Sequence, residues 1–257
     1  MPRQWRWAGA SSIGTSHIKS GLPCQDFVAC IEIESPSENV LAVIVSDGAG
    51  SASKAEAGAR MVCGGFLRES AAYIRAGGRL EDVPGEVAWS WIDSIRDRVN
   101  SFSERNGIRP RDCAATMVGL LIGADDAVAI HVGDGAAVVR EEGGADWTVP
   151  SWPFHGEYAS TTTFVTDDPQ PHLSVVHIPA RLDRFAVFSD GIERMVLDHA
   201  KRAAHGPFFD RMTGAVASDS SLGHARTLSH SLRKYLDGKT VCERTDDDKS
   251  LVLGVRS

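Results

Sequence analysis

Long apolar stretches are missing from this sequence. Its longest aliphatic run covers only residues 40–45, whereas a membrane-spanning helix needs about 20 apolar residues. The N-terminal segment also lacks the apolar core of a signal peptide. We therefore expect a protein that stays in the cytoplasm and has no membrane partner.

Cysteine pairs and an excess of basic residues are missing too. The five cysteines are odd in number and none stand in Cys-x-x-Cys spacing, so we expect reduced thiols rather than disulfides or a zinc site. Acidic residues outnumber basic ones, 34 against 27, and the net charge is −7. This balance offers no electrostatic footprint for nucleic acid, and we expect no such partner.

The remaining composition is typical of a globular protein. Hydrophobic residues make up 42% of the chain and charged residues 24%, a balance that supports a packed core. A chain of 257 residues is long enough for a substantial core and short enough for one domain. We expect a single domain over residues 1–257.

Runs of β-forming residues predict two hairpins. Residues 27–33 and 40–45 bracket a turn-forming segment at 35–39, which is typical of two antiparallel strands. Residues 117–122 and 127–132 form the second predicted pair. In the last segment, apolar residues alternate with a period of two, as in a strand.

Apolar residues at three- and four-residue spacing predict helices over 55–66, 87–102 and 225–236. Ser53 and Glu56 predict a capping box at the start of the first. Hairpins interrupted by paired helices favour an α+β fold with helices packed outside antiparallel sheets. Residues 141–183 contain four prolines, and we expect irregular turns and short strands there.

Aspartate recurs where apolar runs end, beside glycine or another acid. These aspartates are Asp26, Asp47, Asp134, Asp190 and the run 246–248. Any one of them alone is more often a simple turn. Carboxylates that converge without cationic partners would repel, and a divalent cation such as Mg²⁺ or Mn²⁺ makes them tolerable. Two such ions about 3.5–4 Å apart can clamp a phosphoryl group during in-line attack.

Six short segments occur in a fixed order along the chain. They are Gln25-Asp26, Val45-Ser46-Asp47-Gly48-Ala49-Gly50, Ala114-Ala115-Thr116, Gly133-Asp134-Gly135, Ser189-Asp190-Gly191 and Asp247-Asp248-Lys249-Ser250. As an ordered set, they resemble the metal-dependent Ser/Thr protein phosphatases of type 2C, the PPM family. The variant forms around Asp26 and Asp47 are most similar to a bacterial subgroup of stand-alone phosphatases.

The resemblance implies a fold and an activity. The fold is a four-layer α+β sandwich, in which two antiparallel β-sheets are flanked by pairs of α-helices. The activity is hydrolysis of phosphoserine and phosphothreonine through a binuclear Mg²⁺ or Mn²⁺ centre and metal-activated water. The partner would be a phosphorylated protein substrate, with a Ser/Thr kinase acting in opposition.

The resemblance also implies roles for individual residues. Asp47 would bridge both metals. Asp190 and Asp247 would complete the coordination of one metal, and the Gly48 carbonyl would contribute to the other. Asp26 would act on the metals through ordered water.

Two further aspartates have weaker assignments. Asp112 falls where bacterial members place a ligand for a third, weakly held metal. Asp134 would hold its own turn, although a direct metal role is an equal alternative.

The sequence departs from the family at its substrate-binding positions. Ala49 stands where animal members carry a histidine thought to be the general acid. Gly21 replaces the phosphate-binding arginine, and Ala136 replaces another family arginine. His17 and Lys19 are the candidate replacements, because their segment leads directly into Gln25-Asp26. His17 could bind phosphate and protonate the leaving oxygen, whereas Lys19 is more often a solvated loop residue.

Two other functions compete with the protein phosphatase. One is a catalytically weak or silent relative that binds phosphoproteins. The retained Asp47, Asp190 and Asp247 favour activity over that alternative. The other is a small-molecule phosphoesterase. His131 is expected to be a surface or hydrogen-bonded residue rather than a ligand.

Overall fold

The structure is a computed structural model that describes residues 4–36, 38–154 and 162–256. The strands are β1 (Trp5–Ser12), β2 (Phe27–Ile33), β3 (Val40–Ser46), β4 (Met117–Ile122), β5 (Ala127–Val132), β6 (Ala136–Glu141), β7 (Ser174–Ile178), β8 (Leu182–Phe188), β9 (Leu197–Asp198), β10 (Ala203–Ala204), β11 (Gly223–His224) and β12 (Lys249–Arg256). The helices are α1 (Thr15–Ser20), α2 (Ala55–Arg75), α3 (Glu86–Asn106), α4 (Asp190–Val196), α5 (Gly206–Ala217), α6 (Arg226–Leu236) and α7 (Lys239–Cys242). Short 3₁₀ turns cover Leu80–Asp82 and Pro110–Cys113. The predicted hairpin turn at 35–39 and the segment 141–183, predicted to contain irregular turns and short strands, lie partly outside the described residues.

Two five-stranded sheets carry the fold. The first has the strand order β11-β1-β12-β8-β6, and the second has the order β2-β3-β4-β5-β7. The pairs are antiparallel, apart from a two-residue parallel contact between β1 and β11. Both predicted hairpins are confirmed, as β2 pairs with β3 and β4 with β5.

Successive side chains of β3 point to opposite faces of the second sheet and so contribute to two different hydrophobic cores. Leu41, Val43 and Val45 point between the sheets, where they join side chains of β8 and β12 in one buried cluster. The opposite face of the second sheet packs on α2 and α3. The outer face of the first sheet packs on α4, α5 and α6. The predicted four-layer sandwich is therefore confirmed.

The predicted helices are present, but the predicted capping box is wrong. Helix α2 begins at Ala55, its N-cap is Lys54, and no side chain caps it. The backbone N–H of Lys54 donates to the Asp112 carbonyl at 2.7 Å. This tertiary bond places the N-cap at Lys54, one residue after Ser53. None of the helices in the described residues has both the length and the apolar character needed to cross a membrane.

The pairing of β12 with β8 yields a test of core packing. Gly254 lies opposite Phe185, and a Cβ at residue 254 would overlap the Phe185 ring. We expect Gly254→Ala to lower the free energy of unfolding by about 1–3 kcal/mol, because overpacking forces side chains out of their rotamers. Urea denaturation measures this change.

The test is a double-mutant cycle with Phe185→Leu, in which the penalty of Gly254→Ala should shrink. Gly64→Ala is the matched control. Its Cβ would meet no atom within 4 Å, so it should be neutral or stabilising by up to about 1 kcal/mol in the helix. An equal penalty in both backgrounds would refute the assigned contact.

Candidate metal centre

Strand ends bring five aspartates to the same end of the two sheets. Asp47 follows β3, Asp134 follows β5, and Asp190 follows β8 after one serine. Asp26 and Asp247 stand before the starts of β2 and β12. Because neighbouring strands are antiparallel, the start of β2 lies beside the end of β3, and the start of β12 lies beside the end of β8.

Three of these carboxylates form a compact group. One oxygen each from Asp47, Asp134 and Asp190 lies within 4.8 Å of the other two. Asp26 and Asp190 lie close enough to Asp47 for their charges to act on its carboxyl group. Among the described residues, one buried oxygen of Asp26 and one of Asp190 have no hydrogen-bond partner. Hard, buried oxygen donors of this kind suit Mg²⁺ or Mn²⁺.

Burial and mutual repulsion shift the acidities of the group. Burial, followed by the charges of Asp26 and Asp190, raises the pKa of Asp47 well above its ordinary value. Burial raises the pKa of Asp26 to about 6. For Asp190, burial and then the charges of Asp134 and Asp247 raise the pKa to about 7. A divalent cation would favour the ionised forms of these carboxyls.

Backbone contacts fix Asp47 on the second sheet. Its N–H donates to the Thr116 hydroxyl at 3.0 Å, and the Thr116 N–H donates to the Asp47 carbonyl at 2.8 Å. Gly48 follows in an isolated β-bridge with Ala115. A Cβ on Gly48 would lie 2.7 Å from the backbone of Ala55, so this close approach to α2 requires glycine.

Ser189 ties three segments of the site together. Its hydroxyl donates to the Asp26 carboxylate at 2.7 Å and accepts the Ser250 N–H at 3.0 Å. The next glycine, Gly191, packs so closely on the Asp248 carbonyl that a Cβ would overlap it. Asp190 therefore starts α4 from a position fixed by both β2 and β12.

The acidic run before β12 divides into different environments. Asp247 is exposed, and its carboxylate accepts the Asp248 N–H at 2.8 Å. Asp248 is 1% exposed. Its carboxylate accepts the N–H groups of Gly14 at 2.6 Å and Gln25 at 2.5 Å. Asp248 was not among the residues predicted for the site, because the sequence does not show which member of the acidic run turns inward.

Asp248 also holds His17. The Nδ1 atom of His17 lies 3.0 Å from the Asp248 carboxylate, and the His17 side chain is 12% exposed. Lys19 is on the same helix, α1, but is exposed. The structure thus connects His17, and not Lys19, with the acidic run.

Asp112 and His131 lie outside the compact group. The Asp112 carboxylate accepts the N–H of Arg109 at 2.9 Å and its guanidinium at 3.0 Å, and this partner holds the pKa of Asp112 below its usual value. A third metal at Asp112 stays a prediction. His131 is buried with Nδ1 2.9 Å from the Ser151 hydroxyl, as predicted for a hydrogen-bonded residue, and burial lowers its pKa to about 4.

Comparison with known proteins gives one family. The family model described as Protein phosphatase 2C matches residues 13–237. Serine/threonine-protein phosphatase 3 of Escherichia coli (strain K12) is 35% identical over 260 residues, which are 98% of each protein. PppA, a key regulatory component of the T6SS in Pseudomonas aeruginosa, has a TM-score of 0.62 at 17% identity, covering 100% of this chain and 99% of that one. Stp1 of Staphylococcus aureus has a TM-score of 0.61 at 16% identity, covering 99% and 95%.

The raised pKa of Asp190 predicts a pH-dependent stability of the metal-free protein. Its pKa is about 7 in the folded state against an ordinary 3.8, so the folded state binds more protons. The stability from this group is complete below pH about 4 and is lost as the pH rises through about 7. Asp190→Asn removes that loss. Without metal, it should raise Tm at pH 8 by at least about 3 °C more than at pH 5.

The matched control is Asp246→Asn, since Asp246 is exposed. It should change Tm by similar small amounts at both pH values. Thermal unfolding of wild type and both variants, in the presence of a chelator at pH 5 and pH 8, gives the four Tm shifts. A shift from Asp190→Asn that is independent of pH would contradict the burial of a repelled carboxyl at this position.

Proposed function

The chain belongs to the protein phosphatase 2C family, and we propose that it hydrolyses phosphoserine and phosphothreonine in proteins with two Mg²⁺ or Mn²⁺ ions held by its clustered aspartates. The observation that carries the proposal is the group of Asp47, Asp134 and Asp190, whose oxygens approach within 4.8 Å. Repelling carboxylates destabilise a fold that lacks a counter-ion. Their retention therefore supports an active phosphatase over a silent relative.

The family resemblance implies how the residues would divide the ions. Asp47 would be shared by both ions, Asp190 and Asp247 would serve one, and the Gly48 carbonyl would serve the other. Asp134 would add a carboxylate to the group. When bound, such ions lower the pKa of water to make a nucleophile and neutralise charge on the phosphoryl group. Asp26, held by Ser189, would support the arrangement without being a direct ligand.

The His17–Asp248 pair supports a role for His17 in leaving-group protonation. A carboxylate at Nδ1 orients the ring and stabilises the imidazolium. The other ring nitrogen, Nε2, then carries a proton that can pass to the departing serine or threonine oxygen. This pair would replace the family histidine that is Ala49 here. Lys19 stays a candidate phosphate contact that is supported only by its place on α1.

The substrate would be a protein phosphorylated by an opposing Ser/Thr kinase. Phosphopeptide hydrolysis compared with nucleotide hydrolysis tests this against a small-molecule phosphoesterase. Preference for the nucleotide would refute the protein substrate and leave the metal site intact.

The metal assignment predicts the effect of removing a shared ligand. Asp47→Asn and Asp190→Asn should each lower Mn²⁺-dependent turnover of a chromogenic phosphate ester more than about 100-fold, because even an indirect metal contact is worth 10- to 100-fold. Thermal unfolding should show that the metal-free variants stay folded.

Asp247→Asn paired with Asp246→Asn sharpens this test. The two residues are adjacent and both exposed, but only Asp247 acts on Asp190 among the causes of its raised pKa. We expect metal binding, followed by calorimetry, to weaken only in Asp247→Asn. Near-wild-type turnover of Asp47→Asn would refute the metal assignment.

The leaving-group role predicts a dependence on the substrate. His17→Ala should lower kcat for a phosphopeptide about 100-fold, the usual scale of general acid catalysis. The loss should shrink for an aryl phosphate, whose leaving group needs no proton. Lys19→Ala, on the same helix, is the control: a phosphate contact serves both substrates, so it should change the phosphopeptide and aryl phosphate rates alike and leave the ratio between them unaltered. An unchanged kcat/KM for phosphopeptide in His17→Ala would remove this residue from the mechanism.

A further inference from the structure

A cleft beside the aspartate cluster has a basic wall on its α6 side. It has a volume of about 540 Å³ and lies between α2 and α6; its basic lining residues are Arg60, His230 and Arg233, and its acidic ones are Asp26 and Glu56. We propose that this cleft, with the outward face of α6, binds an acidic segment of the phosphoprotein substrate. The proposal rests on the proposed phosphatase function and extends it to substrate selection.

Helix α6 is anchored so that its basic side chains face outward. Leu232 and Leu236 are buried in the core against the first sheet. The Ser229 hydroxyl accepts the N–H of Gly9 on β1 at 3.1 Å. His230 and Arg233 are consequently left exposed.

The charges on the two walls differ in their pairing. On α2, Arg60 is bound to Glu56 at 3.0 Å and stacks over the Phe27 ring at 4.5 Å, so its position is fixed. On α6, neither His230 nor Arg233 takes part in an ion pair within the described part of the chain. The α6 wall therefore carries the unneutralised positive charge of Arg233.

This positive charge is local. Helix α6 reads Arg-Thr-Leu-Ser-His-Ser-Leu-Arg-Lys-Tyr-Leu, with three Arg or Lys residues, one histidine and no acidic residue, in a chain whose net charge is −7. A basic face on an acidic protein attracts anionic groups and repels basic ones, which gives selectivity as well as faster association.

The position of the cleft points to the substrate as the source of the anion. Asp26 lines the cleft and also contacts Asp47 in the metal centre. A peptide whose phosphorylated residue sits at the aspartates can thus extend into the cleft. Extended chain advances about 3.3 Å per residue, so acidic side chains a few residues from the phosphate are the ones that fit.

The experiment compares two phosphopeptides that differ only in whether Asp and Glu or Ser and Ala flank the phosphorylated residue. Wild type should have a higher kcat/KM for the acidic peptide at low salt, and the preference should shrink at high salt. Arg233→Glu should lower the acidic-to-neutral ratio of kcat/KM about tenfold. Arg75→Glu makes the same charge change at the far end of α2 and should leave the ratio unaltered.

Each other result overturns the proposal. No acidic preference in wild type, an unaltered ratio in Arg233→Glu, or an equal drop in Arg75→Glu would each do so. Hydrolysis of an aryl phosphate tests the phosphatase function separately from the acidic-segment proposal. Failure of wild type to hydrolyse it with Mn²⁺ would refute the phosphatase function itself. Thermal unfolding of both charge variants shows that a lost ratio is not lost folding.

Discussion

Repulsion among buried carboxylates is the constraint that the rest of the structure serves. Asp26, Asp47 and Asp190 each have a raised pKa because burial disfavours their charge, and neighbouring acids add to the effect for Asp47 and Asp190. Left to itself, such a group would move apart or take up protons. Here the sheets prevent movement. The Thr116 contacts hold Asp47, and the Ser189 hydroxyl joins β2 to β12. The repulsion among the carboxylates can therefore be reduced only by binding a proton or a cation.

The sandwich supplies this rigidity because its inter-sheet core is continuous with the site. Side chains of β3 and β8 fill the same buried cluster, and Asp47 and Asp190 follow these two strands. A shift in either aspartate would need a shift of a fully packed strand, which close-packed interiors resist. Glycines at positions 48 and 191 bring the backbone of α2 and of the acidic run against these strand ends.

Much of the fold and part of the aspartate site were predictable from local sequence patterns, whereas the remaining features depended on tertiary contacts. The hairpins, the helices and the Asp-Gly strand ends follow from residue spacing, and so does the four-layer arrangement through the family resemblance. The nearness of Asp134 to Asp47 did not follow from residue spacing, because spacing along the chain does not fix how strand ends meet. The capping box failed because a carbonyl of Asp112, distant in sequence, fixed the start of α2. The basic cleft joins Arg60 to Arg233, which no local pattern connects.

The acidic run shows most clearly how one residue organises both proposals for catalysis. Asp248 accepts hydrogen bonds from Gly14 and Gln25, and so closes the loop 14–25 at both ends. His17 stands near one end of that loop and Asp26 directly after the other. Because Asp247 is the next residue of the same run, a shift of the proposed metal ligand would move the anchor of the proposed acid. The histidine and the proposed ligand Asp247 are thus positioned by one backbone segment, which explains how His17 could replace a residue located elsewhere in the family.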